Sequence, residues 1–139
     1  MHDAIQRGTI LIVDDSPDTL ELIRRNLELA RYAVLTASSV NEAKGLLEHQ
    51  KFDLCITDYH MPFASGIDLI RFVRGTYPGT AIIMITGYAS VEGAVEAIKA
   101  GAEEYLSKPF TDDELLTLVD KIFEQRRGRK DTGSGTPTP

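Results

Sequence analysis

The polar residues of this chain that could do chemistry each follow or end a short apolar segment. Asp14 ends TILIVD and Asp15 follows it, Asp58 ends FDLCITD, Thr86 ends TAIIMIT, and Lys108 ends EYLSK. If these segments are parallel strands of one sheet, three carboxylates, a hydroxyl and an ammonium group lie at the same edge. Three carboxylates at one point cannot all stay ionised without a counter-charge.

Two sources of counter-charge are consistent with these residue types. Mg²⁺ is a hard cation that takes oxygen ligands and keeps several waters. Lys108 is a mobile point charge suited to a phosphoryl oxygen. A carboxylate beside such cations can attack phosphorus and form an acyl phosphate. The residue set therefore predicts Mg²⁺-dependent phosphoryl transfer, in which catalysis consists mostly of neutralising charge on the transferring group.

Strands are predicted over 9–14, 32–37, 52–58, 80–86 and 104–108, with amphipathic segments between them. The first, third and fourth are almost continuously apolar, which is typical of parallel strands covered on both faces. Helix starts are predicted at Ser16 before Pro17, at Ser39 with Glu42, at Ser90, and at Thr111 with Glu114. The third helix should end before Pro78, and Gly101 should close the fourth.

Strict alternation of strands and helices predicts an α/β fold. We expect a doubly wound, five-stranded parallel sheet in the order 2-1-3-4-5, with five helices on its two faces. In that order the winding reverses between strands one and three. Ligands of such sheets bind beyond the carboxyl ends of the strands at this reversal, where Asp14, Asp15 and Asp58 lie.

Length and composition are those of a single globular domain. We assign residues 1–8 to an N-terminal extension, 9–125 to the domain, and 126–139 to a basic and then Gly/Ser/Thr/Pro-rich tail or linker. Residues 1–125 carry 11 basic and 20 acidic side chains, so this body should repel nucleic acid. No apolar run is long enough to cross a membrane, and the start lacks the apolar stretch of a secretory signal. A cytoplasmic location and no membrane association are expected.

The segments LIVDDSPDT, LCITDYHMPFASG, IIMITGYAS and GAEEYLSKPF resemble, in order and spacing, the receiver domain of bacterial two-component response regulators. The resemblance covers about residues 9–125 and implies the flavodoxin-like fold of the CheY-like superfamily. It also implies a phosphoprotein of a phosphorelay that controls output such as transcription. Such a domain is not a conventional enzyme, although it catalyses its own phosphorylation and dephosphorylation.

The resemblance assigns a role to each site residue. Asp58 is expected to accept a phosphoryl group from the phosphohistidine of a sensor histidine kinase or a histidine phosphotransfer protein. The expected Mg²⁺ ligands are Asp15, Asp58 and the backbone carbonyl of His60, with Asp14 acting through a metal-bound water or orienting the lysine. Thr86 and Lys108 are expected to contact the phosphoryl group, the Lys108–Pro109 bond to be cis, and Thr86 and Tyr105 to form the switch.

Phosphorylation is expected to change the surface made by the fourth helix, fifth strand and last helix. That surface is the predicted contact for an output domain, a downstream effector or a second copy in a dimer. We also hypothesise that His60 and Tyr88 control water access to the acyl phosphate. The sequence leaves open whether the receiver acts alone or as the front of a longer transcriptional regulator.

Two other functions fit the sequence less well. A hydrolase of the aspartyl-phosphate type has a nucleophile that opens a D-x-D motif, whereas here the paired acids are adjacent and Asp58 is on another strand. A flavodoxin-like cofactor binder needs a Ser/Thr/Gly-rich loop after the first strand. DDSPDT instead brings acids that repel a cofactor phosphate.

Overall fold

Strands and helices alternate along the whole described chain. The computed structural model describes residues 7–61, 64–87 and 91–135, with side chains up to residue 127. The strands are β1 (Thr9–Val13), β2 (Ala33–Ala37), β3 (Leu54–Asp58), β4 (Ala81–Thr86) and β5 (Glu104–Ser107). The helices are α1 (Pro17–Leu29), α2 (Val40–His49), α3 (Gly66–Thr76), α4 (Val91–Ala100) and α5 (Asp112–Gly135).

The sheet has the predicted order and direction. Its strands run β2-β1-β3-β4-β5, and every neighbouring pair is parallel. The predicted α/β, doubly wound fold is therefore confirmed. The reversal of winding lies between β1 and β3, whose register pairs Val13 with Thr57. Asp14 and Asp58, each one residue further along, consequently sit side by side at the edge where the strands end.

The two faces of the sheet bury separate cores. All residues of β3 and β4 are buried, as expected for strands covered on both sides. One core packs α2, α3 and α4 against residues such as Leu11, Cys55 and Met84. The other packs α1 and α5 against Ile10, Ile56 and Ile83. Alternate residues of each strand thus face opposite cores. The residues at the ends of the strands lie beyond these cores.

Most predicted helix signals act as expected. Ser16 caps α1 by accepting a hydrogen bond from the Thr19 amide at 3.2 Å, with Pro17 as the first helical residue. The capping box of Thr111 and Glu114 is reciprocal, at 2.8 and 3.0 Å. The box predicted for α2 differs in one bond. Ser39 accepts from the Glu42 amide, but the Glu42 carboxylate accepts from the amide of Ser38.

Helix ends also follow the sequence, with one difference. α3 stops at Thr76, before Pro78, and α4 stops at Ala100, before Gly101 with its φ of 126°. α5 continues through residues 126–135, which the sequence pattern assigns to the tail. Arg and Lys are good helix formers, so the basic segment at 126–130 can extend the helix despite Gly128. Ser90, residues 1–6 of the extension and the last four residues lie outside the described residues.

No helix in the described part of the chain is both long enough and apolar enough to span a membrane.

Candidate functional site

Four of the predicted site residues meet at the edge where the strands end. One carboxylate oxygen from each of Asp14, Asp15 and Asp58 lies within 4.8 Å of the others. Lys108 places Nζ 3.1 Å from Oδ1 of Asp58 and 3.3 Å from Oδ2 of Asp14. The predicted convergence of these residues, which are far apart in the sequence, is confirmed as geometry.

The local backbone positions each acid. The Asp14 amide donates to the Ala37 carbonyl at 3.1 Å, and the Asp14 carboxylate accepts from the Ser16 amide at 2.9 Å. Asp58 is the last residue of the fully buried β3. Its carbonyl accepts a hydrogen bond from the Thr57 hydroxyl at 3.1 Å. Asp14 and Asp58 are consequently fixed and almost covered, whereas Asp15 is exposed.

Burial and neighbouring charge shift the protonation of the two paired groups. Burial raises the pKa of Asp58, the charges of Asp14 and Asp15 raise it further, and the hydrogen bond from Lys108 opposes both. Burial alone would lower the pKa of Lys108. The hydrogen bond to Asp58 and the charges of Asp14 and Asp58 outweigh that effect, so its pKa is raised. Lys108 therefore stays positively charged at neutral pH.

Thr86 ends β4 at this edge, and Lys108 directly follows the adjacent β5. Thr86 is buried, and its carbonyl accepts from the Lys108 amide at 2.8 Å. The Lys108–Pro109 peptide bond is cis, as the resemblance to receiver domains implies. Tyr105 pairs in register with Met84 on β4 and is half-buried against the α2, α3 and α4 core.

The loop after Asp58 is shaped by a close backbone approach. A Cβ atom at Gly66 would collide with the Asp58 carbonyl oxygen, so this position needs glycine. The Gly66 amide donates to the Tyr59 carbonyl at 2.9 Å. His60 is exposed, and its ring packs edge-on against Tyr59 with the centroids 4.6 Å apart. Tyr88 lies outside the described residues.

Two structural features near the site were not predicted. The capping box of α3, in which Ser65 and Asp68 exchange hydrogen bonds, fixes the helix that follows the Asp58 loop. The S-x-x-D pattern of this capping box can be recognised in the sequence. The hydroxyl of Tyr59 also reaches Glu96 on α4, at 3.2 Å. No local pattern could have indicated that contact, because its partners are 37 residues apart.

The fold and the acidic edge define a class of doubly wound α/β domains with an acidic cluster at the ends of the strands. Comparison with known proteins identifies the family within that class. The family model of the response regulator receiver domain matches residues 10–120. The chain belongs to the response regulator receiver domain family. This membership favours a receiver over the hydrolase and cofactor-binding alternatives.

Individual relatives agree with this assignment. Response regulator protein PilR of Pseudomonas aeruginosa is 41% identical over 115 residues, which make up 83% of this chain and 26% of that protein. The chain thus spans about a quarter of the length of the curated relatives it matches most strongly.

Solved receiver structures share the fold closely. A CheY-like receiver domain protein from Methanospirillum hungatei JF-1 superposes with a TM-score of 0.84 at 32% identity, covering 88% of this chain and 98% of that one. The beryllofluoride-activated NtrC4 receiver domain dimer gives a TM-score of 0.80 at 34% identity, covering 84% and 97%.

Proposed function

We propose that Asp58 is the phosphoacceptor of this receiver. The proposal rests on the position of the Asp58 carboxylate. This carboxylate is almost buried, lies beside two further acids and pairs with Lys108. The donor is a phosphohistidine of a sensor histidine kinase or a histidine phosphotransfer protein in the cytoplasm. A carboxylate oxygen of Asp58 forms a bond to phosphorus while the P–N bond of the donor breaks, and that electron pair stays on the donor imidazole.

The acidic cluster fits a divalent cation. Three carboxylates face one ammonium group, and all of their donor atoms are hard oxygens of the kind that Mg²⁺ prefers. Asp15, Asp58 and the carbonyl of His60 are the proposed ligands, and Asp14 acts through a water or by orienting Lys108. When bound, Mg²⁺ supplies positive charge beside the transferring phosphoryl group.

The chain's own residues supply the rest of the site. Lys108 is already charged and in contact with Asp58, so it can follow the phosphoryl oxygens with little movement. Thr86 ends the strand between β3 and β5, and its hydroxyl is proposed to donate a hydrogen bond to the same group. His60 and Tyr88 are proposed to limit the access of water that hydrolyses the acyl phosphate. Unchanged dephosphorylation rates in both His60→Ala and Tyr88→Ala would remove that role.

The proposed output surface consists of α4, β5 and α5. Val91, Val95 and Ile98 of α4 are 81%, 45% and 50% exposed, so this helix presents three apolar side chains to solvent. Lys121 of α5 pairs with Glu104 of β5 at 2.9 Å across the same face. An added phosphoryl group, with a charge of about −2, should change this face through Thr86 and Tyr105. The partner is an output domain, a downstream effector or a second copy of the chain.

The test is a mass measurement after incubation with acetyl phosphate and Mg²⁺. The wild type should gain the mass of one phosphoryl group, and Asp58→Asn should gain none. Asp113→Asn, an exposed acid on α5, is the matched control and should react as the wild type does. Equal labelling of Asp58→Asn and the wild type would reject Asp58 as the acceptor.

A further inference from the structure

Helix α4 buries little of its surface against the rest of the described structure. Ala97 is the single buried residue among its ten. In proteins, most of the stability of a helix comes from packing an apolar face. Individual polar contacts must therefore provide a large share of the restraint on α4.

One of those contacts starts at the residue next to Asp58. The Tyr59 amide donates to the Ile85 carbonyl at 2.8 Å, and the Tyr59 carbonyl accepts from Gly66, so the backbone at Tyr59 is fixed at both sides. Its ring packs against the α2, α3 and α4 core. Its hydroxyl donates to Oε1 of Glu96 in the middle of α4, at 3.2 Å. A single side chain thus joins the loop of the proposed phosphoacceptor to α4.

The far end of α4 is held independently. Arg74 of α3 donates to the carbonyl of Gly101 at 2.9 Å and to that of Pro78 at 3.0 Å. It also pairs with Glu103 at 3.1 Å, and Glu103 in turn accepts from the Ile82 amide at 2.7 Å. These bonds tie the residue that closes α4 to α3 and β4. The end of α4 at Ala100 is consequently the fixed end.

We propose that the hydrogen bond between Tyr59 and Glu96 is a latch that holds α4 in its resting position until Asp58 is phosphorylated. The inference deepens the proposed function and rests on it. Any rotation of α4 that changes the exposure of Val95 also moves the adjacent Glu96 away from Tyr59. Because Arg74 holds the Gly101 end, opening the latch lets the opposite end of α4 swing about that point.

Two measurements test the latch. In the free protein, Tyr59→Phe and Glu96→Ala should each speed amide hydrogen exchange in α4 by about fivefold, the effect of losing one surface hydrogen bond. Both variants should also bind beryllofluoride with Mg²⁺ about fivefold more tightly, since the resting position loses that bond while the activated one does not. The double variant should match either single variant, because the two changes remove the same bond.

Glu92→Ala is the matched control, because it removes the same charge one turn earlier in α4. It should change neither measurement. Equal exchange in Tyr59→Phe and the wild type, or effects that add in the double variant, would overturn the latch. A wild type that does not bind beryllofluoride would contradict the proposed role of Asp58. The exchange measurement would still decide whether Tyr59 restrains α4.

Discussion

Lys108 and Asp58 form an ion pair across strands that are not neighbours. Lys108 directly follows β5 and Asp58 ends β3, with β4 between them in the sheet, yet Nζ and Oδ1 are 3.1 Å apart. The lysine side chain therefore extends over the end of β4, where Thr86 lies. This crossing brings the ammonium group, the hydroxyl and the acids to one point.

Replacing Lys108 should slow phosphorylation without abolishing the fold. In Lys108→Met the transferring group loses a fixed positive charge, and removing one such electrostatic contact typically costs about a hundredfold in rate. The rate of phosphorylation by acetyl phosphate, followed by mass, is the measurement. Lys121→Met, which removes the pair with Glu104 at the start of β5, is the control and should react normally. Equal rates in the two variants would show that the ion pair of Lys108 is only structural.

Replacing Asp58 by asparagine should stabilise the protein. Burial is the largest cause of the raised pKa of Asp58, and the neighbouring acids add to it, so the folded state resists ionisation of this group. We expect Asp58→Asn to raise the free energy of unfolding by roughly 0.5–2 kcal/mol at pH 7, the usual gain from relieving a functional site. Urea unfolding measures it. Glu124→Gln, an exposed mid-helix change on α5, should give no such gain.

The gain from Asp58→Asn should depend on pH. A carboxyl whose pKa is raised by folding binds its proton more tightly in the native state, so wild-type stability falls as pH rises above the ordinary value of 3.8. Below that pH the carboxyl is protonated in both states, and the two proteins should differ least. Added Mg²⁺ should stabilise only the wild type, so the two proteins should differ less in free energy of unfolding at pH 7. A gain that is constant from pH 3 to pH 7 would contradict a charge effect.

The fold could be predicted because its signals are local and repeated. Continuous apolar strands such as β3 and β4 indicate a parallel sheet, and caps such as Ser16 mark where helices begin. The site followed from the topology, because parallel strands deliver their last residues to one edge. Asp14 and Asp58 could therefore be placed together from the order of the strands alone.

Contacts between side chains distant in sequence could not be predicted. Arg74 contacts three residues, Pro78, Gly101 and Glu103, yet in the sequence it is one basic residue on a predicted helix. The same is true of Tyr59 in the loop after β3, whose partner Glu96 depends on how α4 packs against the rest of the fold. The structure extends α5 past residue 125, into a segment whose glycines indicate a tail, and the basic residues beside those glycines favour helix.

Gly101 should be intolerant of substitution, unlike a glycine within a helix. Its φ of 126° is unfavourable for other residues, and a Cβ there would lie 2.8 Å from Nε of Arg74. We expect Gly101→Ala to lower the free energy of unfolding by about 1–3 kcal/mol. At Gly45 of α2 an added Cβ would meet no other atom within 4 Å, and Gly45→Ala should stabilise by about 0.5–1 kcal/mol. Thermal unfolding of Gly101→Ala and Gly45→Ala measures both effects. Stability changes of the same sign in the two variants would contradict this prediction.

Tyr32 should stabilise the domain at the edge opposite the acidic cluster. It is 2% exposed, stacks with Phe123 at 4.8 Å, and donates its hydroxyl to Oδ1 of Asp120 at 2.6 Å. Tyr32→Phe keeps the ring and loses only that bond, so it should cost about 1.5 kcal/mol, as is usual for a bond to a charged group. Urea unfolding at pH 7 measures it, with Tyr77→Phe on a half-buried ring as the control.

The contribution of Tyr32 should disappear in alkali. Burial first, and then the hydrogen bond to Asp120, raise the pKa of Tyr32 far above its ordinary value of 10.0. Above pH 10 the unfolded chain ionises this tyrosine while the folded chain keeps it protonated, so wild-type stability falls with rising pH. Phenylalanine has no proton to lose, and the difference between the wild type and Tyr32→Phe should therefore shrink above pH 10. A difference that stays constant from pH 7 to pH 11 would mean that folding does not raise the pKa of Tyr32, contrary to its burial and its hydrogen bond to Asp120.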